Sequence, residues 1–434
     1  MSRSPGSDRV LASLWVGAVV AAALSLVGAP LPLPLDAGLL AHVAGMLAGY
    51  LSAVMVVLMS RAPLLERHVG SDVLTRWHSK GGRLFLILVC VHAGAALGAW
   101  AQTRQENLVT ALVAVLGLPG LLAATLGTLL FFAIAGVSIR AARRRVSHEA
   151  WHGVHLLTYV AISLSFIHEL AGPNLAGHPV LQVAWTLMHV YALALVVRFR
   201  LLLPLENAWR HRLRVEAVVP EAPGVVSVIM SGRHLDELGA EPGQFFRWRF
   251  LSSGLWRTAH PFSLSAPRHG DFLRITVKAL GGGSTRIQTL TPGTRVFAEG
   301  PSGAMTARRR TRGSVLLIAG GVGITPMRAM FETLEMTGGA LTLIYRTSRP
   351  EDVIFRSELE HLARLRGAEV LWLIGPSSSP ELQMTGQNLL RLVPDLAERD
   401  VYLCASPALS AALRAGLAEA GLPLRHLHEE AFTF

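Results

Sequence analysis

Cysteine is nearly absent from the 434 residues: Cys90 lies in an apolar run and Cys404 in the distal half, which excludes a disulfide framework and a thiolate metal site. Charge is scarce as well, at 16% of residues against 51% hydrophobic, a balance too apolar for an ordinary soluble protein. Lysine occurs only at Lys80 and Lys278, so the net charge of +11 is carried by arginine, in keeping with a GC-rich bacterial source. Those arginines sit beside apolar segments rather than over a polar face, which excludes nucleic acid as a partner and points to a lipid bilayer. There is no internal repeat, no low-complexity tract and no EF-hand loop, so control by calcium is not expected.

What the chain does have is six apolar stretches, roughly 10–29, 38–60, 83–101, 108–139, 151–170 and 179–203, each long enough to cross a hydrocarbon core about 30 Å thick. The fourth contains Pro119-Gly120, which reads as a kink or as a surface segment leading into a span. The first reads as a retained helix rather than a cleaved signal segment, because its apolar run is longer than a usual signal core. Arg3 and Arg9 precede the first stretch. Arg61, Arg67 and Arg76 follow the second, Arg140, Arg143, Arg144 and Arg145 the fourth, and Arg198, Arg200, Arg210 and Arg212 the sixth. The positive-inside rule then places the N-terminus and the distal half in the cytoplasm, as expected for a bacterial inner-membrane protein.

After about residue 210 the texture changes to short β-rich runs, Arg214 to Val219, Val225 to Met230 and Phe272 to Ala279, which predict a small antiparallel β-barrel. From Val315 onward apolar strands (Val315 to Ala319, Leu341 to Tyr345, Val370 to Ile374, Val401 to Cys404) alternate with helical patterns (Met327 to Met336, Glu358 to Arg366, Ala408 to Ala420). That alternation predicts a parallel-sheet α/β nucleotide domain. The predicted fold class is a multi-domain membrane protein: an all-α six-helix bundle over 1–208, a barrel over 209–310 and an α/β domain over 311–434.

Ionisable groups inside a membrane are costly and mark function. Here His78 and His92 flank the third stretch, and His152, His155 and His168 lie along the fifth. Neutral imidazoles on facing helices of a bundle suit the axial positions of haem iron. The 14 residues between His78 and His92 span about 21 Å of helix and leave the pair about 40° apart, on one face, at depths suited to two stacked haems. The 13 residues between His155 and His168 leave about 140° on an ideal helix, so a kink, bulge or offset is required. Geometry alone does not choose between His155 and His152. For any single histidine the competing role is polar packing, which is the reading for His42 and His189; Arg76, Lys80 and Arg83 read first as cytoplasmic-edge anchors.

The paired histidines and the run Trp151-His152-Gly153-Val154-His155 resemble the ferric reductase and NADPH oxidase transmembrane domain. The resemblance implies b-type haem ligation by His78 with His155 nearer the cytoplasm and by His92 with His168 on the outer side, with His152 a neighbour. His260-Pro261-Phe262-Ser263-Leu264-Ser265 resembles the flavin-binding strand of the same family, which implies a Ser263 hydroxyl near the reactive edge of FAD. Lys278-Ala279-Leu280-Gly281-Gly282-Gly283-Ser284-Thr285 matches the segment that cradles the FAD diphosphate, its glycines permitting close backbone approach and its hydroxyls suited to capping the next helix. Glu299-Gly300-Pro301-Ser302-Gly303 closes the barrel beside it in that family.

Strand Val315 to Ala319 runs into Gly320-Gly321-Val322-Gly323-Ile324-Thr325-Pro326 and then a helix, the strand, glycine turn and helix that a dinucleotide diphosphate requires. It departs from GxGxxG and is similar to the ferredoxin-reductase type of loop. The next strand ends Tyr345-Arg346-Thr347-Ser348-Arg349, where Arg and Ser suit the 2′-phosphate of NADPH better than the ribose hydroxyl of NADH, with NADH left open. Arg356 is a further candidate. Cys404-Ala405-Ser406-Pro407 resembles the family's Cys-Gly-Pro turn beside the nicotinamide, with Ala for Gly and a Ser inserted. The stretch His428-Glu429-Glu430-Ala431-Phe432-Thr433-Phe434 is similar to its acidic-aromatic terminus, which implies a Phe434 ring stacked on the flavin. The expected activity is electron transfer from NADPH through FAD and two haems to an acceptor across the membrane. Oxygen, giving superoxide, stands first, although Ala96 replaces the oxygen-side histidine of animal NADPH oxidases. A ferric complex is second and an extracytoplasmic partner protein third.

Overall fold

The computed structural model describes residues 5–27, 33, 35–139, 146, 148–173, 175–336 and 340–430. Arg3, Arg140, Arg143, Arg144, Arg145 and Phe434, singled out above, lie outside them. The chain divides into two compact units: Asp8–Ser60 with Val73–Val197, and the remainder, which joins the connection Arg61–Asp72 to everything from Arg198 onward.

The first unit is helical because an apolar segment in lipid has only its own backbone to hydrogen-bond. Its helices are α1 (Pro5–Leu24), α2 (Ala37–Leu58), α4 (Ser71–Arg104), α5 (Leu108–Leu116), α6 (Leu121–Ser138), α7 (His148–Leu156), α8 (Thr158–Ala171) and α9 (Pro179–Val196). The short α3 (Pro63–His68) lies in the connection that belongs to the second unit. Six stretches are long and apolar enough to cross a membrane, at Gly6–Leu24, Ala37–Leu58, Val73–Arg104, Leu121–Ser138, Ala150–Ala171 and Pro179–His211. Large apolar side chains such as Ile87, Leu122, Leu129, Val183 and Leu187 stand exposed on them. Small residues occupy the helix contacts, so backbones approach closely. At Gly127 an added Cβ would lie 2.8 Å from the Ala161 carbonyl oxygen of α8.

Local breaks refine the predicted spans. The fourth stretch is two helices: Asn107 caps α5, and Gly120, at φ +80°, starts α6 anew. The fifth breaks at Leu157, where the Leu157 N–H bonds Val154 O and the Thr158 hydroxyl takes the His155 carbonyl at 2.7 Å. The π-helical turn Val197–Leu202 precedes α10 (Leu203–His211). Pro204 lacks the N–H that would bond Arg200 and its ring would clash there, which accounts for the widened turn.

The second unit holds strands β1 (Arg214–Ala222), β2 (Val225–Ser231), β3 (Phe245–Phe250), β4 (His260–Ser263), β5 (Phe272–Lys278) and β6 (Val296–Ser302). They form two three-stranded antiparallel sheets, β1-β2-β5 and β4-β3-β6, joined by isolated bridges such as Arg214–Arg295 and Leu264–Ile275 and by backbone bonds such as Val215 N–H to Thr294 O and Val296 N–H to Leu213 O, each at 2.9 Å. The predicted barrel is therefore not closed by continuous ladders. The six strands pair in two triplets, held together by a shared core and by these few backbone bonds at their edges. Phe246, Trp248 and Phe250 alternate into that core and are fully buried, each such side chain contributing roughly 1.5–3 kcal/mol.

The C-terminal part is a five-stranded parallel sheet of β7 (Val315–Gly320), β8 (Leu341–Thr347), β9 (Glu369–Ile374), β10 (Asp400–Cys404) and β11 (Leu427–Glu429), in the order β11-β10-β7-β8-β9. The order reverses between β7 and β10, and ligands of such sheets bind beyond the strand ends at that point. Both Gly320 and Cys404 lie there.

Candidate functional site

The continuous helix α4 carries His78 and His92 on one face, and the break at Leu157 lets α7 and α8 present His155 and His168 separately. The ring centroids of His78 and His155 are 6.0 Å apart, and those of His92 and His168 5.9 Å. With metal–imidazole bonds of about 2 Å, two rings facing one iron have centroids about 6 Å apart. His78 Nδ1 lies 3.2 Å from the Met55 carbonyl and His92 Nδ1 2.8 Å from that of Ala41. A carbonyl only accepts, so both Nδ1 atoms are protonated and Nε2 is the nitrogen that could bind a metal. The donor set thus fits axially held haems. His152 is exposed, whereas His155 stacks on Trp151 at 5.2 Å between centroids. His42, Gly45, Phe85 and Phe131 line one cavity with His92 and His168. Gly45 is required there, since a Cβ on it would lie 2.7 Å from His92 Nδ1.

In the second unit, β3 and β4 pair Phe245 with Ser263 and Arg247 with Pro261. Ser263 is buried. Gly283 packs directly on His260: an added Cβ would lie 2.4 Å from its ring. Ser284 Oγ accepts from the N–H groups of Leu280 and Gly281 at 2.9 and 3.0 Å, closing the glycine turn before the short helix α11 (Gly282–Ile287). Lys278 leaves this cradle to pair with Asp352 at 3.3 Å.

β7 enters a 3₁₀ turn over Gly321–Gly323 and then α12 (Ile324–Thr333). A Cβ at Gly323 would lie 2.0 Å from the Cys404 carbonyl oxygen, so only glycine permits the turn to nest against β10. The Thr325 hydroxyl donates to Val322 O at 3.1 Å within that turn. Cys404 is fully buried, and burial raises its thiol well above the usual range, which keeps it a thiol. Arg346 is buried and spends its guanidinium on the carbonyls of Thr347 and Leu373 and on Ser377, tying β8 to β9. Arg349 is exposed and pairs with Glu351 and Asp352. Of the two predicted phosphate ligands, only Arg349 is therefore presented to solvent. Arg356 stacks over Trp372 at 4.3 Å.

Two family models match: the ferric reductase like transmembrane component over residues 44–166 and the oxidoreductase NAD-binding domain over residues 317–414. The ferredoxin–NADP reductase B of Sorangium cellulosum is 30% identical over 173 residues, 37% of this chain and 71% of that protein. The chain belongs to the ferric reductase-like superfamily, a membrane component joined to a ferredoxin–NADP reductase-type module. The stachydrine N-demethylase reductase subunit of Rhizobium meliloti is 33% identical over 229 residues, 49% of this chain and 64% of its own length. The chain thus spans just under two thirds of that relative. The FAD/NAD-binding domain of a Vibrio cholerae nitric oxide dioxygenase aligns with 51% of this chain and 99% of its own, at 24% identity and a TM-score of 0.44.

This ferric reductase-like chain thus joins a membrane component, with six helices long and apolar enough to cross a membrane, to an oxidoreductase NAD-binding module. The second unit also holds charge pairs that join distant segments of the chain. Glu358 on α13 (Arg356–Arg366) receives both Arg274 nitrogens at 2.8 and 2.9 Å and Arg328 Nε at 2.8 Å, linking β5 to the nucleotide domain. Glu299 binds Arg61 and Arg249. No local signal marks these pairs, whose members are widely separated in the chain.

Proposed function

We propose that the chain carries electrons from cytosolic NADPH, by way of FAD and two b-type haems, to an acceptor on the opposite face of a bacterial inner membrane, with oxygen, reduced to superoxide, the first acceptor. The observation that carries this reading is the pair of imidazole couples at 6.0 and 5.9 Å in the membrane unit of a chain that also has a reductase module. FAD, when bound, divides the two electrons of a hydride into single steps.

The chain's own residues bind and orient. His78 with His155 and His92 with His168 would hold iron, through Nε2 at His78 and His92, whose tautomers are set by the carbonyls of Met55 and Ala41. The glycine turn closed by Ser284 gives a diphosphate access to backbone N–H groups, with His260 packed beneath Gly283. The Ser263 hydroxyl would face the flavin's reactive edge. The second glycine turn and Arg349 take the dinucleotide diphosphate and the 2′-phosphate.

Purified protein with NADPH and FAD should show bis-histidine haem spectra that NADPH reduces, and a reporter signal abolished by superoxide dismutase. A dismutase-insensitive signal with rapid ferric-chelate reduction would assign the ferric reading instead. A third reading is favoured by the relatives' names: the stachydrine N-demethylase and glycine betaine monooxygenase proteins are reductase subunits. By analogy this chain would feed an extracytoplasmic partner, and neither small acceptor would then turn over rapidly.

A further inference from the structure

We propose that Asp352 sets how strongly the nucleotide site prefers NADPH: its carboxylate occupies Arg349 as a built-in counter-ion that the 2′-phosphate has to displace. The inference rests on the proposed role of Arg349 as the ligand of that phosphate.

Arg349 stands just beyond the C-terminal end of β8, whose neighbour β7 runs into the second glycine turn. Its side chain is 64% exposed, so a ligand reaches it from solvent. Pro350 opens a single 3₁₀ turn over Pro350–Asp352, in which the Asp352 N–H donates to the Arg349 carbonyl at 3.2 Å. Side chains three apart eclipse in such a turn. The Asp352 carboxylate accordingly accepts from Arg349 Nε at 3.1 Å and from Nη2 at 3.5 Å.

Asp352 differs from an ordinary surface carboxylate. Its side chain is only 19% exposed, and a second cation holds it from the flavin domain, Lys278 Nζ of β5 at 3.3 Å. Arg349 first, and Lys278 after it, keep its carboxyl below the usual range against the opposing effect of burial. Glu351 also reaches Arg349, at 3.4 Å, but from a more open position and with no second cation paired to it among the described residues.

A phosphate dianion takes a guanidinium best through two parallel N–H bonds, and Asp352 already fills the Nε and Nη2 edge that would supply them. One edge cannot serve both anions, whose like charges repel at that distance. NADPH therefore exchanges its 2′-phosphate for the carboxylate at Arg349, and Lys278 keeps the displaced carboxylate paired. NADH carries a neutral ribose hydroxyl at that position and leaves the Arg349–Asp352 pair intact. Asp352 thus reduces the preference for NADPH, and it does so through Arg349.

Full-length Asp352→Asn, Arg349→Ala and the double variant, loaded with FAD in nanodiscs, are assayed for kcat/KM with NADPH and with NADH, ferricyanide taking the electrons from the flavin. Asp352→Asn should raise kcat/KM for NADPH about 2- to 5-fold, the range set by a partly exposed ion pair, by lowering KM, and should leave NADH unchanged. In the Arg349→Ala background the gain should vanish. No gain with NADPH overturns the inference, as does an equal gain with NADH or a gain that survives in Arg349→Ala, which would be a general effect of charge. Where Asn at 352 leaves no flavin bound, Asp352→Ser, smaller and equally uncharged, supplies the same comparison with the same refuting outcomes. An Arg349→Ala variant that weakens NADPH and NADH equally would instead overturn the reading of Arg349 itself.

Discussion

A methyl group added at Gly45 tests the outer imidazole couple without replacing a ligand. In Gly45→Ala the new Cβ would stand 2.7 Å from His92 Nδ1 and 2.9 Å from Cε1. Carbon and nitrogen at rest lie about 3.5 Å apart or more, so the ring must give way by several tenths of an ångström. The movement breaks or lengthens the 2.8 Å bond from Nδ1 to Ala41 O, worth about 1 kcal/mol in stability. Loss of such a partner behind a metal-bound histidine lowers metal-site affinity about 10- to 100-fold. The measurement is haem content by pyridine haemochrome together with reductive titration of each haem. We expect Gly45→Ala to lose or shift the outer haem and to leave the inner one intact. Gly94→Ala, in the α4 helix that carries His92 and with nothing within 4 Å of its Cβ, is the control. It should be neutral or slightly stabilising, since alanine is favoured over glycine by about 0.5–1 kcal/mol in a helix. Two unperturbed haems in Gly45→Ala would refute the assignment of His92.

Three further outcomes are expected. His155→Ala should remove one haem while His152→Ala retains both, read by the same haemochrome assay; the reverse would transfer the ligand to His152. Arg349→Ala should raise the KM for NADPH about tenfold with little change for NADH, because only the 2′-phosphate contact is lost; equal effects on both would refute it. Acid should destabilise the nucleotide domain in two stages. Burial lowers His428 below 6.5 despite the neighbouring Asp400, so its stabilisation is complete above that pH and is lost as pH falls. Burial pushes the Asp400 carboxyl up, but the Thr311 N–H, His428 and the Arg312 N–H outweigh it and hold it below 3.8, so its stabilisation is lost at lower pH still. Thermal melting followed from pH 8 to pH 3 should show both falls, and a flat profile between pH 7 and pH 4 would contradict the buried neutral His428.

The membrane spans and most strands of the reductase module were legible because hydropathy and period are local. The apolar stretch around Val89 and the alternation of Phe246, Trp248 and Phe250 declare themselves within one element. The glycine turns were legible as local motifs, whereas the reason Gly323 admits no side chain, a Cβ that would strike Cys404 O, is tertiary. The ideal-helix phase of His155 and His168 called for a break, and the helix has one at Leu157, but its position, set by Thr158 and a tightened turn, carries no strong sequence signal. Arg346 read as a phosphate ligand on residue type alone, yet its guanidinium ties β8 to β9.

Amino-acid order by itself determined where lipid must cover the chain, where a β-rich segment gives way to a parallel sheet, and which imidazoles are available inside the membrane. Tertiary structure alone decided which of them meet, His78 with His155 and His92 with His168. It also decided that Glu299 belongs to Arg61, 238 residues away, and that Glu358 belongs to Arg274 and Arg328. Burial and helical period depend on neighbours a few residues away. The partner of a charge depends on register and packing among elements far apart in the chain, and the consequence is an Arg247 whose own opposite carboxylate is already engaged.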